Sequence, residues 1–169
     1  MRMKLSTKGR YGLRALIDLA QYSEKEAVPI SSIAQRQNIS ESYLEQLFAR
    51  LKKAGLVMSI RGAQGGYRLA KPSDTISVGD VLRALEGDLR AVECAALSQE
   101  GCQGKEQCVA RYVWEKINNS IAKTVDEMML DQLVEESRKV QQKKGQISRR
   151  TAVKSLELRS ENTGCGRGE

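Results

Sequence analysis

Residues 40–71, SESYLEQLFARLKKAGLVMSIRGAQGGYRLAK, switch abruptly from one hydrophobic period to another. Leu44, Leu47, Phe48 and Leu51 recur at i, i+3, i+4 and i+7, which puts them on one face of a helix. Gly55 is suited to end that helix, because the residue just past a helix C-terminus commonly takes a left-handed conformation. Two short runs, Val57–Arg61 and Gly66–Ala70, then flank a turn in which Gly62, Gly65 and Gly66 accept positive φ. The pattern predicts a helix followed at once by a two-stranded hairpin.

The N-terminal 39 residues narrow the fold. TKGRYGLRALIDLAQYS carries Tyr11, Leu13, Ala15, Leu16, Leu19 and Ala20 at helical spacing, with Thr7 as the expected N-cap. A short helix is expected over Ile30–Gln37, and NIS turns the chain into the Leu44–Leu51 helix. Downstream, Ser77 and Asp80 in SVGD read as a helix-start box for a helix reaching Glu86. Three helices, a short turn between the second and third, and a hairpin are the order of a winged helix-turn-helix, assigned to residues 1–90. The expected fold class is mostly α with a small β-hairpin.

The remainder divides into a cysteine-rich loop, 91–110, a long helix, 111–140, and a disordered basic tail, 141–169. In the helix Val113, Ile117, Ile121, Val125, Met128 or Met129, and Leu133 recur every three or four residues. A stripe of that length exceeds what one small domain can bury, so an isologous homodimer is expected. Folding back onto the first helix is the alternative, and the two can share the stripe.

Charge is unevenly spread. The net charge is +7, with no histidine in 169 residues. Residues 1–90 hold 15 Lys/Arg against 9 Asp/Glu, residues 91–140 hold 6 against 9, and residues 141–169 hold 7 against 3. A basic head and tail around an acidic middle point to a nucleic-acid module joined to a segment with another task. Arg10, Arg14 and Asp18 interrupt the early apolar residues, so no signal peptide is expected. No apolar run approaches the ~18 residues of a membrane span. A cytoplasmic protein with reduced thiols and no membrane partner is expected.

If Leu44, Leu47, Phe48 and Leu51 face inward, Ser42, Glu45, Gln46, Ala49 and Arg50 face outward. Glu accepts from cytosine N4, Gln pairs with adenine, and Lys or Arg neutralises phosphate, the role open to Lys8, Arg10 and Arg50. Ser42 and Glu45 also fit a capping box, and an exposed Gln is often merely solvated, so spacing leaves both readings open. Arg61, at the mouth of the hairpin turn, suits a narrow minor groove or is a solvated turn residue. The expected partner is double-stranded DNA, as a pseudo-palindromic operator.

CAALSQEGCQGKEQC holds Cys94, Cys102 and Cys108, and a fourth cysteine, Cys165, lies near the end of the tail. Thiolates are soft donors suited to an iron–sulfur cluster, zinc or copper. Three of them leave one position open, for which Glu93, Glu106, a hydroxyl, an exogenous thiol or Cys165 are candidates. Paired C-x2-C knuckles are absent, which disfavours zinc, while a thiol or disulfide redox switch stays open. With no histidine base, no P-loop and no dinucleotide fingerprint, an enzyme is not expected. An iron–sulfur electron carrier is a remaining rival, though it has no use for a basic head.

STKGRYGLRALIDLA, SYLEQLFARLKKAGLVMSIRGAQGGYRLAK and the three-cysteine loop together resemble the IscR-like regulators, grouped with NsrR and CymR among dimeric bacterial winged-helix transcription factors. The resemblance covers about residues 1–140. It implies a regulator, expected to be a repressor, whose promoter binding is modulated by a [2Fe–2S] or [4Fe–4S] iron–sulfur cluster. Its targets would be cluster-assembly or sulfur-metabolism genes. By matching motif it implies Ser42, Glu45 and Gln46 as base readers, Arg61 as the minor-groove arginine, and Cys94, Cys102 and Cys108 as cluster ligands. The cysteine gaps here are seven and five residues, where the IscR pattern has five and five. Arg111 stands where that pattern has a histidine ligand, and Arg10 aligns with the N-terminal carboxylate that NsrR-type members use. A cluster-free repressor of the CymR kind, controlled by a partner or by thiol redox chemistry, is the alternative.

Overall fold

The computed structural model describes residues 6–23, 26–62, 64–91 and 108–143. The elements are α1 (Thr7–Tyr22), α2 (Ile30–Gln37), α3 (Glu41–Lys53), β1 (Val57–Ile60), β2 (Gly66–Leu69), a 3-10 turn (Ser73–Thr75), α4 (Val78–Glu86) and α5 (Val109–Glu127). The chain divides into two units, Met1–Val134 and Glu135–Glu169. In the second, residues 135–143 are helical, with Lys139 paired to Glu136 at 2.6 Å. All of the elements α1 to α5 and the hairpin belong to the first.

Helix ends follow local chemistry. Ser6, not Thr7, caps α1, its hydroxyl accepting from the Lys8 N–H at 3.1 Å. Asn38, in the left-handed region at φ 54, ends α2 and lets the Ile39 N–H reach the Ala34 carbonyl. At the end of α3, Gly55 takes φ 70. Its N–H bonds the Lys52 carbonyl and the Leu56 N–H bonds the Leu51 carbonyl, both at 3.0 Å, which is the Schellman arrangement. That reversal sends Leu56 and Val57 straight into the core. Ser77 and Asp80 form the expected capping box of α4.

The core gathers Leu16 and Leu19 of α1, Ile33 of α2, the four apolar residues of α3, and Val81 and Leu85 of α4. β1 and β2 pair antiparallel, from Val57 opposite Leu69 to Ile60 opposite Gly66. Val28 adds a further rung, exchanging two 2.9 Å hydrogen bonds with Tyr67. The Tyr67 ring in turn meets Phe48 of α3 edge-on, with centroids 4.8 Å apart. The hairpin is thus fastened to both α3 and the segment ahead of α2. Close approach at two glycines permits this packing: Gly66 lies against the Val28 carbonyl, and Gly12 of α1 against Leu85 of α4.

The long C-terminal helix is present as α5, but the helical run expected through residue 140 is interrupted. Met128 is extended (φ −85, ψ 113). Its carbonyl accepts from the Val78 N–H at 2.8 Å, and the Leu130 N–H reaches the Ile76 carbonyl at 2.9 Å. Two bonds to the start of α4 replace the helical ones, and the break re-phases the helical residues beyond it. Leu130 and Val134, rather than Leu133, enter the core. Within α5 no residue is buried, and Tyr112 and Val113 are 60% and 46% exposed. Of the expected cysteine loop and basic tail, residues 92–107 and 144–169 lie outside the described residues.

A Cβ at position 66 would collide with backbone that has no room to move. Gly66→Ala is therefore expected to cost about 2–3 kcal/mol in urea unfolding. Gly55→Ala, strained in φ but facing open space, is expected to cost only about 1 kcal/mol.

Candidate nucleic-acid interface and cysteine segment

α3 carries Glu41 in its first turn and Arg50, Lys52 and Lys53 in its last, which complements the helix dipole at both ends. Its N-cap is Ser40, so Ser42 sits inside the helix and the capping-box alternative for Ser42 and Glu45 does not apply. With Leu44, Leu47, Phe48 and Leu51 buried, Ser42, Glu45, Gln46, Ala49 and Arg50 are all exposed on the opposite side. Among the described residues, the Ser42, Glu45, Gln46 and Arg50 side chains have no hydrogen-bond or ion-pair partner. A row of polar groups left this free can bond to something outside the chain.

Lys52 points another way, donating to Ser59 of β1 at 2.6 Å and so tying the end of α3 to the hairpin. Arg61 is exposed at the start of the hairpin turn, next to Gly62 at φ 121. Gly65 and Gly66, expected to share that conformation, do not take positive φ, and Gly66 is required instead by its close approach to Val28. Lys8 and Arg10 lie in the first turns of α1, Lys8 half-buried and Arg10 exposed. Lys8 is one turn ahead of Tyr11, whose ring meets Tyr43 of α3 edge-on at 6.2 Å. The fold therefore gathers Ser42, Glu45, Gln46 and Arg50 on one helix face and Arg61 on the adjoining hairpin. Lys8 and Arg10 stand apart on α1.

The start of α1 is plugged by Glu86, the last residue of α4. One carboxylate oxygen accepts from the Ser6 N–H (3.0 Å), the Ser6 hydroxyl (2.6 Å) and the Gly9 N–H (2.9 Å). Burial alone would push the Glu86 carboxyl up. The Ser6 and Gly9 hydrogen bonds and the Lys8 charge outweigh it and hold the group below its ordinary value.

The cysteine segment enters this frame at both ends. Ala91 donates its N–H to the Asn118 side chain of α5 at 3.0 Å. Cys108 is a free, exposed thiol at the N-cap of α5. The first turn of α5 has no acidic residue, and Arg111 stands three positions after Cys108, so the positive end of this helix favours an anionic group there. Three soft thiol donors with no histidine suit an iron–sulfur cluster, and the one thiol within the described residues is unencumbered. Cys94, Cys102, Glu93, Glu106 and Cys165 lie outside the described residues.

The model of the Rrf2 family, an iron-dependent transcriptional regulator, matches residues 5–136. This chain belongs to the Rrf2 family. It is 44% identical over 132 residues to the HTH-type transcriptional regulator IscR of Erwinia tasmaniensis, covering 78% of this chain and 79% of that one. It is 40% identical over 152 residues to IscR of Yersinia enterocolitica, covering 89% and 92%. Among solved structures it is similar to CymR, the global cysteine regulator of B. subtilis, at 42% identity and TM-score 0.66, over 79% of this chain and 97% of that one. It is also similar to T. potens IscR, at 44% identity and TM-score 0.66, over 82% and 90%. This Rrf2-family chain is a winged-helix DNA-binding transcriptional regulator, and the relatives it matches are regulators rather than enzymes. No helix among the described residues is long and apolar enough to cross a membrane.

Sequence reasoning missed the residues that orient the helix-turn-helix of this Rrf2-family chain. Asp18, only 5% exposed, accepts from Arg36 Nε at 3.0 Å on both oxygens and from Arg36 Nη2 at 2.6 Å. Arg36 also stacks over Tyr22 at 4.3 Å. The available signal was an acid on the apolar face of α1, which asks for a cationic partner.

Glu86 is lowered in the folded chain, so its stabilising contribution is complete above its unfolded value near 4.5 and is lost as pH falls through the folded value. Wild type should exceed Glu86→Gln in thermal stability at pH 7, by about 0.5–1 kcal/mol for the negative charge lost at the start of α1. The difference should shrink as the pH is taken below about 4.5 in the same melting series.

Proposed function

We propose that this chain is a homodimeric, cytoplasmic transcriptional repressor whose operator binding is set by an iron–sulfur cluster, [2Fe–2S] or [4Fe–4S], controlling cluster-assembly or sulfur-metabolism genes. The observation that carries the reading is the free polar row on α3 beside an exposed wing arginine. Ser42, Glu45 and Gln46 read base edges, Arg61 enters the minor groove, and Arg50, Lys8 and Arg10 neutralise phosphates. The exposed apolar residues of α5 support pairing with a second copy, which presents two reading helices to a pseudo-palindromic operator.

Cys94, Cys102 and Cys108 hold the cluster, with the remaining position open to Glu93, Glu106, Cys165 or an exogenous ligand. When bound, the cluster supplies an iron- and redox-responsive link between the three thiols. The chain's own residues carry the consequence inward. Arg83 of α4 bonds Asp126 of α5 at 2.6 Å, and Glu86 of α4 holds the start of α1. A change at either end of the cysteine segment thereby biases the head between two arrangements.

The likeness to a CymR structure, at the same TM-score as to an IscR structure, supports one second reading, a cluster-free regulator controlled by a partner or by thiol oxidation. Anaerobic purification with iron and sulfide analysis separates the two. A brown protein that loses its iron in Cys108→Ser, with different operator affinity in loaded and cluster-free forms, is the expected result. A colourless protein with full operator affinity favours the second reading. For the reading helix, Gln46→Ala should lower operator binding relative to scrambled duplex by about tenfold, one base contact. The slope of affinity against salt should not change, because no phosphate contact is lost.

A further inference from the structure

Gln37 closes α2 and is gripped on three sides. Its side-chain nitrogen donates to Asp18 Oδ2 at 2.9 Å, and its side-chain oxygen accepts from Arg14 Nε at 3.3 Å. Its backbone carbonyl, one of those a helix C-terminus leaves unpaired, accepts from Arg14 Nη2 at 3.1 Å. A carboxylate accepts and a guanidinium only donates, so the amide has a single favoured orientation between them. The left-handed Asn38 comes next, and α3 begins at Glu41. The guanidinium of Arg14 also lies 5.6 Å from the Tyr11 ring, which packs edge-on against Tyr43 in the first turn of α3. One arginine on α1 therefore bonds the last residue of α2 and, through its α1 neighbour Tyr11, is linked to Tyr43 beyond the turn.

We propose that Arg14 is a positioning residue for sequence readout. It acts through Gln37 and Tyr11 to fix the angle at which α3 meets the base edges, and it does not neutralise a phosphate. Arg10, Arg50 and Arg61 have no hydrogen-bond or ion-pair partner among the described residues, whereas Arg14 commits two donors to Gln37. Base contacts demand placement within about 0.5 Å, so loosening the turn weakens them. Phosphate contacts orient the protein without reading sequence and tolerate the same loosening. The proposal rests on α3 being the base-reading helix.

The test uses the full-length protein, purified anaerobically, with a duplex selected by wild type from a randomised pool and a scrambled duplex of equal composition. Arg14→Gln and Gln37→Leu are expected to lower the ratio of selected to scrambled affinity about tenfold, with the salt slope unchanged and circular dichroism and melting close to wild type. Arg14→Lys keeps the charge and one donor to Gln37, so it should recover part of that ratio. A salt slope reduced by about one in Arg14→Gln, with both duplexes weakened equally and full recovery in Arg14→Lys, makes Arg14 a phosphate contact and overturns the proposal. An unchanged ratio in Arg14→Gln alongside a loss in Gln46→Ala overturns the positioning role alone. An unchanged ratio in both variants overturns the reading of α3, and the positioning role with it.

Discussion

Burial of Phe48 is the contact on which the DNA-binding head depends. The ring is fully enclosed, flanked on its own helix by Leu44, Leu47 and Leu51, and capped edge-on by Tyr67 of the hairpin. Because 3.6 residues make a turn, burying these four positions turns Ser42, Glu45, Gln46 and Arg50 to solvent. Through Tyr67 the same ring sets where the wing stands, and the Val28 bridge fastens that wing to the entry of α2. The exposed polar face of α3 and the placement of the wing are thus two consequences of one apolar cluster.

Around that cluster, polar joints fix the orientations that packing leaves loose. Helix ends carry unpaired N–H and C=O groups, and here neighbouring helices satisfy them. Glu86 serves the N-terminus of α1, and Arg14 serves the C-terminus of α2. Asp18 bonds both Arg36 and Gln37, the last two residues before the helix-turn-helix turn. Each joint is made of charge-assisted hydrogen bonds, whose directionality fixes a geometry that apolar contact alone leaves free. Orientation is what a groove-reading helix requires.

The C-terminal stretch records a competition between local and tertiary bonding. Its periodicity describes a continuous helix over 111–140, yet two strand-like hydrogen bonds to Ile76 and Val78 hold Met128 and Met129 out of the helix, which resumes at Leu130. Seating Leu130 in the core compensates for the interrupted helical bonds. A repeat every three or four residues cannot reveal this, since it is silent about which partner a residue finds. The same limit hid the role of Asp18, an acid whose partners lie about twenty residues away, and placed the α1 cap at Thr7 instead of Ser6.

The sequence by itself determined the order of helices and hairpin, the buried and exposed faces of α3, the capping box of α4 and the soft-donor set of the cysteines. These depend on short-range periodicity and on side-chain chemistry, both written locally. Only the tertiary structure decided where α5 stops, which residues clamp the helix-turn-helix and which acid plugs α1. Those outcomes depend on groups far apart in the chain meeting with matched hydrogen-bond donors and acceptors, and no local pattern encodes that meeting.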